Sequence, residues 1–347
     1  MKRPAPRLIT SSPPHLLMPL AALALVLLYD ALTIPGFFHV EMRDGHLFGS
    51  LVDILNRGAP VLLLALGMTL VLSTGGVDLS VGAVMAITGA MAAGLIARPE
   101  GFVLAGLDLH GSAPAIVAVS LVAGLAAGLF NGALVAFADV QPIVATLILM
   151  VAGRGVAQLL TAGQIITFEH PGFQFLGSGF VAGLPFPVTV AVAMFLVTAA
   201  LSRGTALGLF VEAVGDNPTA SRFAGVNARM VKLLVYGFCG LCAGIAGLIG
   251  TADIKAADAN NAGLYMELDA ILAAAIGGTS LSGGRFYLSG TLVGALLLQT
   301  LTTTILTKGV PPVLTLVVKA AVVVAVCLLQ SPKFRSVAGR RFRREAT

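Results

Sequence analysis

Apolar runs long enough to cross a bilayer recur from one end of this chain to the other, and no other feature narrows its possible folds as far. A membrane-spanning helix needs about 20 predominantly apolar residues. The chain predicts about ten spans, at 15–33, 51–73, 80–97, 113–138, 141–162, 185–202, 230–251, 267–277, 286–307 and 310–330. Of its 347 residues, 57% are apolar and 11% charged, which leaves no room for a sizeable soluble domain. The Leu, Ala, Val and Gly runs lack the alternation of a β-barrel strand. The expected fold is all-α, a single polytopic helical membrane domain over 1–347 with short tails at 1–14 and 331–347.

An even number of spans puts both termini on one side, and basic residues mark that side as cytoplasmic. They are Lys2, Arg3 and Arg7 at the start, and Lys333, Arg335, Arg340, Arg341, Arg343 and Arg344 at the end. The connection 203–229 then lies inside, where Arg203, Arg222, Arg229 and Lys232 cluster, and 37–50, 99–112 and 163–184 lie outside. The first apolar run has no small-residue cleavage site and is followed by further spans, so it reads as an uncleaved helix. The positive-inside bias accounts for most of the net charge of +5, and nucleic-acid binding is not supported. Cys239, Cys242 and Cys327 fall inside spans and read as packing residues. His15, His39, His46, His110 and His170 form no metal-ligand spacing, and no metal is expected.

Glycines at Gly124, Gly128 and Gly132, and at Gly240 and Gly244, have the spacing that lets membrane helices approach closely. Two further glycine groups break helices. Gly75-Gly76-Val77-Asp78-Leu79-Ser80-Val81-Gly82 and Gly277-Gly278-Thr279-Ser280-Leu281-Ser282-Gly283-Gly284 share the pattern G-G-x-[DS]-L-S-x-G. Either they mark corresponding positions of an internal repeat or the match is chance in a Gly-, Ser- and Leu-rich chain. Broken helices of this kind point to a translocation path, because their free backbone groups need protein or water around them.

Arg154 and Lys319 lie near the middle of predicted spans, where an unpaired cation costs roughly 3 kcal/mol. Asp78 and Asp269 are the carboxylates at comparable depth, so one of them paired with Arg154 or Lys319 is the simplest arrangement. Such pairs either lock helices together or line a polar path with Asn131, Gln141 and Gln158. A proton-coupled secondary transporter would use the same four charges, and it stands as the alternative function.

The connection 203–229 holds Glu212, Ala213, Gly215, Asn217, Pro218, Ala220, Arg222, Phe223 and Gly225. Asn217 suits an N-cap, Pro218 the first helical turn and Gly225 a left-handed stop, so a helix of about seven residues is expected there. It is too short to span. Held at the cytoplasmic surface, it is suited to docking a partner protein.

This loop resembles the degenerate E-A-A coupling loop of permeases of ATP-binding-cassette importers. Thr74 to Gly82, Gln141-Pro142-Ile143-Val144-Ala145-Thr146-Leu147 and Glu267-Leu268-Asp269-Ala270-Ile271 followed by Gly277-Gly278-Thr279 resemble the ribose-type sugar permeases. Asp53 to Arg57, Val151 to Gln158 and Ala257 to Gly263 look most like the galactofuranose branch. The resemblance covers nearly the whole chain, with a departure from the E-A-A pattern at Val214. It implies a multi-pass protein of the bacterial inner membrane that translocates a monosaccharide. It also implies a second copy or a paralogous permease, separate ATP-binding cassette subunits engaging 217–225, and a periplasmic sugar-binding protein. No G-x-x-x-x-G-K-[ST] loop is present, so ATP would be bound by the partner, and no cofactor or catalytic residue is expected here. Without Trp and with 6% aromatic residues, the chain is poorly suited to a tight sugar site built on stacking.

Overall fold

The computed structural model describes residues 14–97, 112–311, 314–321 and 324. The basic tails, most of the 99–112 connection, Cys327 and much of the last predicted span lie outside the described residues. The chain runs through α1 (Pro14–Thr33), a hairpin of β1 (Glu41–Arg43) and β2 (His46–Phe48), α2 (Ser50–Ser73), α3 (Val81–Ala97), α4 (Ala113–Ala136) and α5 (Pro142–Thr161). Next come β3 (Ile166–Thr167), α6 (Pro171–Ser178), β4 (Phe180–Val181), β5 (Leu184–Pro185) and α7 (Phe186–Gly204). Then follow α8 (Ala206–Asp216), α9 (Pro218–Phe223), α10 (Ala228–Ile254), β6 (Ala256–Ala257), α11 (Met266–Ile276) and α12 (Leu288–Thr307). Among the described residues, α1, α2, α4, α5, α7, α10 and α12 are each long and apolar enough to cross a membrane.

Helices α2 and α10 form the centre. Glycines let backbones touch there, because no side chain keeps them apart. A Cβ at Gly128 of α4 would lie 2.9 Å from Gly240 Cα of α10, and one at Gly67 of α2 would lie 2.8 Å from Cys239 Cα. Cys239 and Cys242 are free, buried thiols within this packing. Helix α12 lies antiparallel to α2, tied at one level by Thr69 Oγ1 and Thr291 Oγ1, 2.7 Å apart.

Helices α3 and α11 do not cross alone. Gly247 of α10 abuts Met85, which sets the start of α3 level with the middle of α10. Helix α11 starts at the same level, since a Cβ at Gly82 would lie 2.7 Å from Glu267 Oε2 and one at Gly263 would lie 2.6 Å from Gly82 O. From that meeting point the two run to opposite faces. Helix α11 is antiparallel to α12, with Gly277 against Gly290 at its far end. The crossings are completed by non-helical chain: 74–80 comes from the face that carries α8 and α9, and 255–265 comes from the opposite face. The predicted spans 80–97 and 267–277 coincide with α3 and α11, but each helix covers only part of a crossing and extended chain outside it covers the rest.

The opposite face is built from short pieces. β3 pairs antiparallel with β6, Leu47 N donates to Gly183 O at 2.9 Å to join the two hairpins, and α6 backs onto α10 where Gly177 meets Asp253.

Candidate functional site

The connection 203–229 folds into two helices. Thr205 Oγ1 accepts from Leu207 N at 3.2 Å and caps α8; Asn217 Oδ1 accepts from Ala220 N at 2.9 Å and caps α9. Pro218 opens α9, and Gly225, at φ +87°, stops it while donating its N–H to Arg222 O at 3.0 Å. Only Ser221 of α9 is buried. Pro218, Ala220, Arg222 and Gly225 are exposed, and Phe223 is 91% exposed. Phe223 thus stands as a bare aromatic ring on an ordered helix. Helix α8 was not expected. Its signal was present in Thr205 and in buried Gly208, Val211 and Val214 at helical spacing.

Helix α8 joins α9 to the membrane core. Its last turn places Gly215 where a Cβ would overlap the Ser73 carbonyl and lie 2.6 Å from Gly284 N. Gly284 N donates to Ser73 O at 2.9 Å, and a Cβ at Gly283 would sit 2.6 Å from Gly215 O and 3.1 Å from Gly75 N. Three glycine segments from distant parts of the chain thus meet at one point beneath Glu212 and Ala213. The two G-G-x-[DS]-L-S-x-G segments touch each other and are not corresponding positions of a repeat. In the fold, the counterpart of 74–80 is 255–265, which resembles it little in sequence.

From Gly75, at φ +76°, the chain rises past Tyr236, whose Cζ would lie 3.2 Å from a Cβ at Gly76. It then reaches a buried polar cluster. Asp78 Oδ1 accepts from Ser80 N at 2.9 Å and Ser80 Oγ at 2.6 Å, and Asn131 Nδ2 donates to Ser80 Oγ at 2.8 Å. Asp78, Ser80 and Asn131 are all buried, so the cluster fixes the turn into α3. No cation among the described residues pairs with Asp78, so it is not the carboxylate that takes the expected ion pair.

Arg154 also departs from expectation. Its guanidinium donates to Ala259 O at 3.0 Å and Ala262 O at 2.6 Å, satisfying carbonyls of the re-entrant 255–265 segment where no helix can. Gln158 Nε2 donates to Asn260 Oδ1 at 2.7 Å in the same segment. There Asp258 Oδ1 accepts from Asn260 N at 3.0 Å, and Asn261 Nδ2 donates to Asp258 Oδ2 at 2.7 Å. The expected ion pair forms elsewhere, between Lys319 Nζ and Asp269 Oδ2 at 2.8 Å. Gln141 stands exposed at the start of α5 and joins neither group. Gly277 and Gly278, the latter at φ +93°, carry the chain out of α11 toward the Gly283–Gly284 contact.

The family model described as branched-chain amino acid transport system / permease component matches residues 50–327. The chain is 56% identical to the galactofuranose transporter permease protein YtfT of Escherichia coli, over 92% of this chain and 90% of that one. It is 39% identical to the fructose import permease protein FruF of Bifidobacterium longum, over 88% of this chain and 83% of that one. It is 36% identical to the ribose import permease protein RbsC of Escherichia coli, over 90% of this chain and 92% of that one. No solved structure matches it. With the family model covering most of its length, and relatives of 36 to 56% identity aligned nearly end to end, this chain belongs to the permease components of the branched-chain amino acid transport family.

Proposed function

We propose that the chain is the membrane-spanning subunit of an ATP-binding-cassette importer that carries a monosaccharide through the bacterial inner membrane, with galactofuranose the first candidate. The observation that carries this reading is the seating of α8 on both glycine breaks. Motion imposed on the exposed α9 passes through Gly215 to Ser73–Gly75 and Gly283–Gly284, the points where the helices leading to mid-membrane begin. Backbone-to-backbone contact transmits such motion because close-packed groups cannot absorb it. An ATP-binding cassette subunit docks on Arg222 and Phe223 and supplies the energy, and this face, with both termini, is cytoplasmic. A periplasmic binding protein selects the sugar and delivers it at the opposite face. The path forms against a second copy or a paralogous permease along α5, whose face bearing Ile148, Val151 and Leu159 is exposed. The proton-coupled alternative is set aside by family membership.

The test is sugar uptake by a bacterium stripped of its own sugar importers, expressing this chain with its cassette and binding protein. Labelled galactose, which holds a furanose fraction in water, should accumulate, and unlabelled ribose and fructose should compete weakly. Accumulation of none of the three sugars would overturn the assignment.

A further inference from the structure

Tyr265 ends the re-entrant 255–265 segment and opens α11, next to the contact between Gly263 and Gly82. Its depth follows from the packing of α3 on α10. Gly89 lies against Thr251 and Met85 against Gly247, so Gly82, just before Met85, is level with Gly244 near the middle of α10. Tyr265 therefore lies deep in the membrane. Its side chain is nevertheless 48% exposed, and its hydroxyl has no hydrogen-bond partner among the described residues. The backbone there sits at φ +64°, a conformation that suits glycine and burdens an aromatic residue.

Lipid cannot cover such a surface. Non-helical chain and unpartnered polar groups at membrane depth are tolerated only against protein or water. The side chains around Tyr265 favour water. Asn260 and Asn261 are exposed in the same segment, and exposed Gln158 of α5 is tied to Asn260, so a strip of amides leads from the outer end of the segment toward the phenol. Exposed Leu264 and Leu268 flank the ring on either side.

Resting on the importer reading above, we propose that Tyr265 lines the translocation path at mid-membrane and takes the C–H face of the passing sugar against its ring. An aromatic face suits the apolar face of a sugar ring. One ring between two leucines gives a passing contact and no tight site, which lets the cargo leave.

The first measurement is whether water reaches the position. Full-length Tyr265→Cys is made in a Cys327→Ser background that keeps the buried Cys239 and Cys242. Leu25→Cys, 69% exposed in the middle of the peripheral α1, is the lipid-facing control. In proteoliposomes with the cassette and binding protein, a charged, membrane-impermeant thiosulfonate should label Tyr265→Cys at least about tenfold faster than Leu25→Cys, because only a hydrated thiol ionises readily. The second measurement is sugar moved per ATP hydrolysed. Tyr265→Gly removes the ring while suiting the backbone, so its amount in the membrane should match wild type. It should move about fivefold less sugar per ATP, the worth of one aromatic contact, while Tyr265→Phe stays within about twofold of wild type. Labelling no faster than at Leu25→Cys, an unchanged ratio in Tyr265→Gly, or equal losses in Tyr265→Gly and Tyr265→Phe would overturn the proposal. Wild type that accumulates no sugar is a failure of the importer reading instead, and it shows before any variant is made.

Discussion

Replacing Gly215 by alanine tests the transmission through α8 directly, with a change of one methyl group. The added Cβ would overlap the Ser73 carbonyl oxygen and lie 2.6 Å from Gly284 N and 2.8 Å from Ser73 C. All three are backbone atoms, so no flexible side chain can give way. Restoring ordinary contact needs a shift of about an ångström, and close-packed interiors charge roughly 1–3 kcal/mol for such overpacking. The 2.9 Å bond from Gly284 N to Ser73 O is disturbed with it, at a further cost of about 1 kcal/mol. A total near 2 kcal/mol or more shifts the equilibrium between seated and displaced α8 by about thirtyfold. The control is Gly204→Ala, at the end of α7, where a Cβ meets nothing within 4 Å. In proteoliposomes holding the cassette and binding protein, Gly215→Ala should cut uptake per reconstituted molecule at least tenfold. The cassette should still co-purify, because α9 is untouched, and Gly204→Ala should transport as wild type. Wild-type uptake by Gly215→Ala would refute that transmission.

Two other outcomes follow from the same geometry. Phe223→Asp should abolish cassette co-purification without lowering the amount of permease in the membrane, since an exposed ring contributes almost nothing to folding. Arg154→Leu should destabilise the protein by about 2–4 kcal/mol in detergent unfolding, because it orphans two carbonyls, with Arg154→Lys intermediate.

Hydropathy exposes the long helices because lipid leaves a helix no alternative to an apolar surface. The ends of α9 were equally legible, since Asn217, Pro218 and Gly225 each satisfy a local backbone need regardless of tertiary context. Other features depended on contacts between distant segments. Nothing in Asn260 and Asn261 says that their segment re-enters the membrane; Arg154, over a hundred residues earlier, makes that possible by taking its carbonyls. Sequence leaves open whether the two matching glycine motifs are repeat or chance; the fold gives them a shared reason instead, since each must admit the other's backbone, and that of Gly215, at close range.

The central claim is that energy enters through a partner docked on α9 and not through the intramembrane charges. Uptake into proteoliposomes with ATP trapped on the α9 face, and with the proton gradient collapsed by an uncoupler, measures this most directly. Sugar should accumulate at the full rate with ATP alone and not at all when ATP is omitted. Accumulation driven by an imposed proton gradient in the absence of ATP would contradict the account.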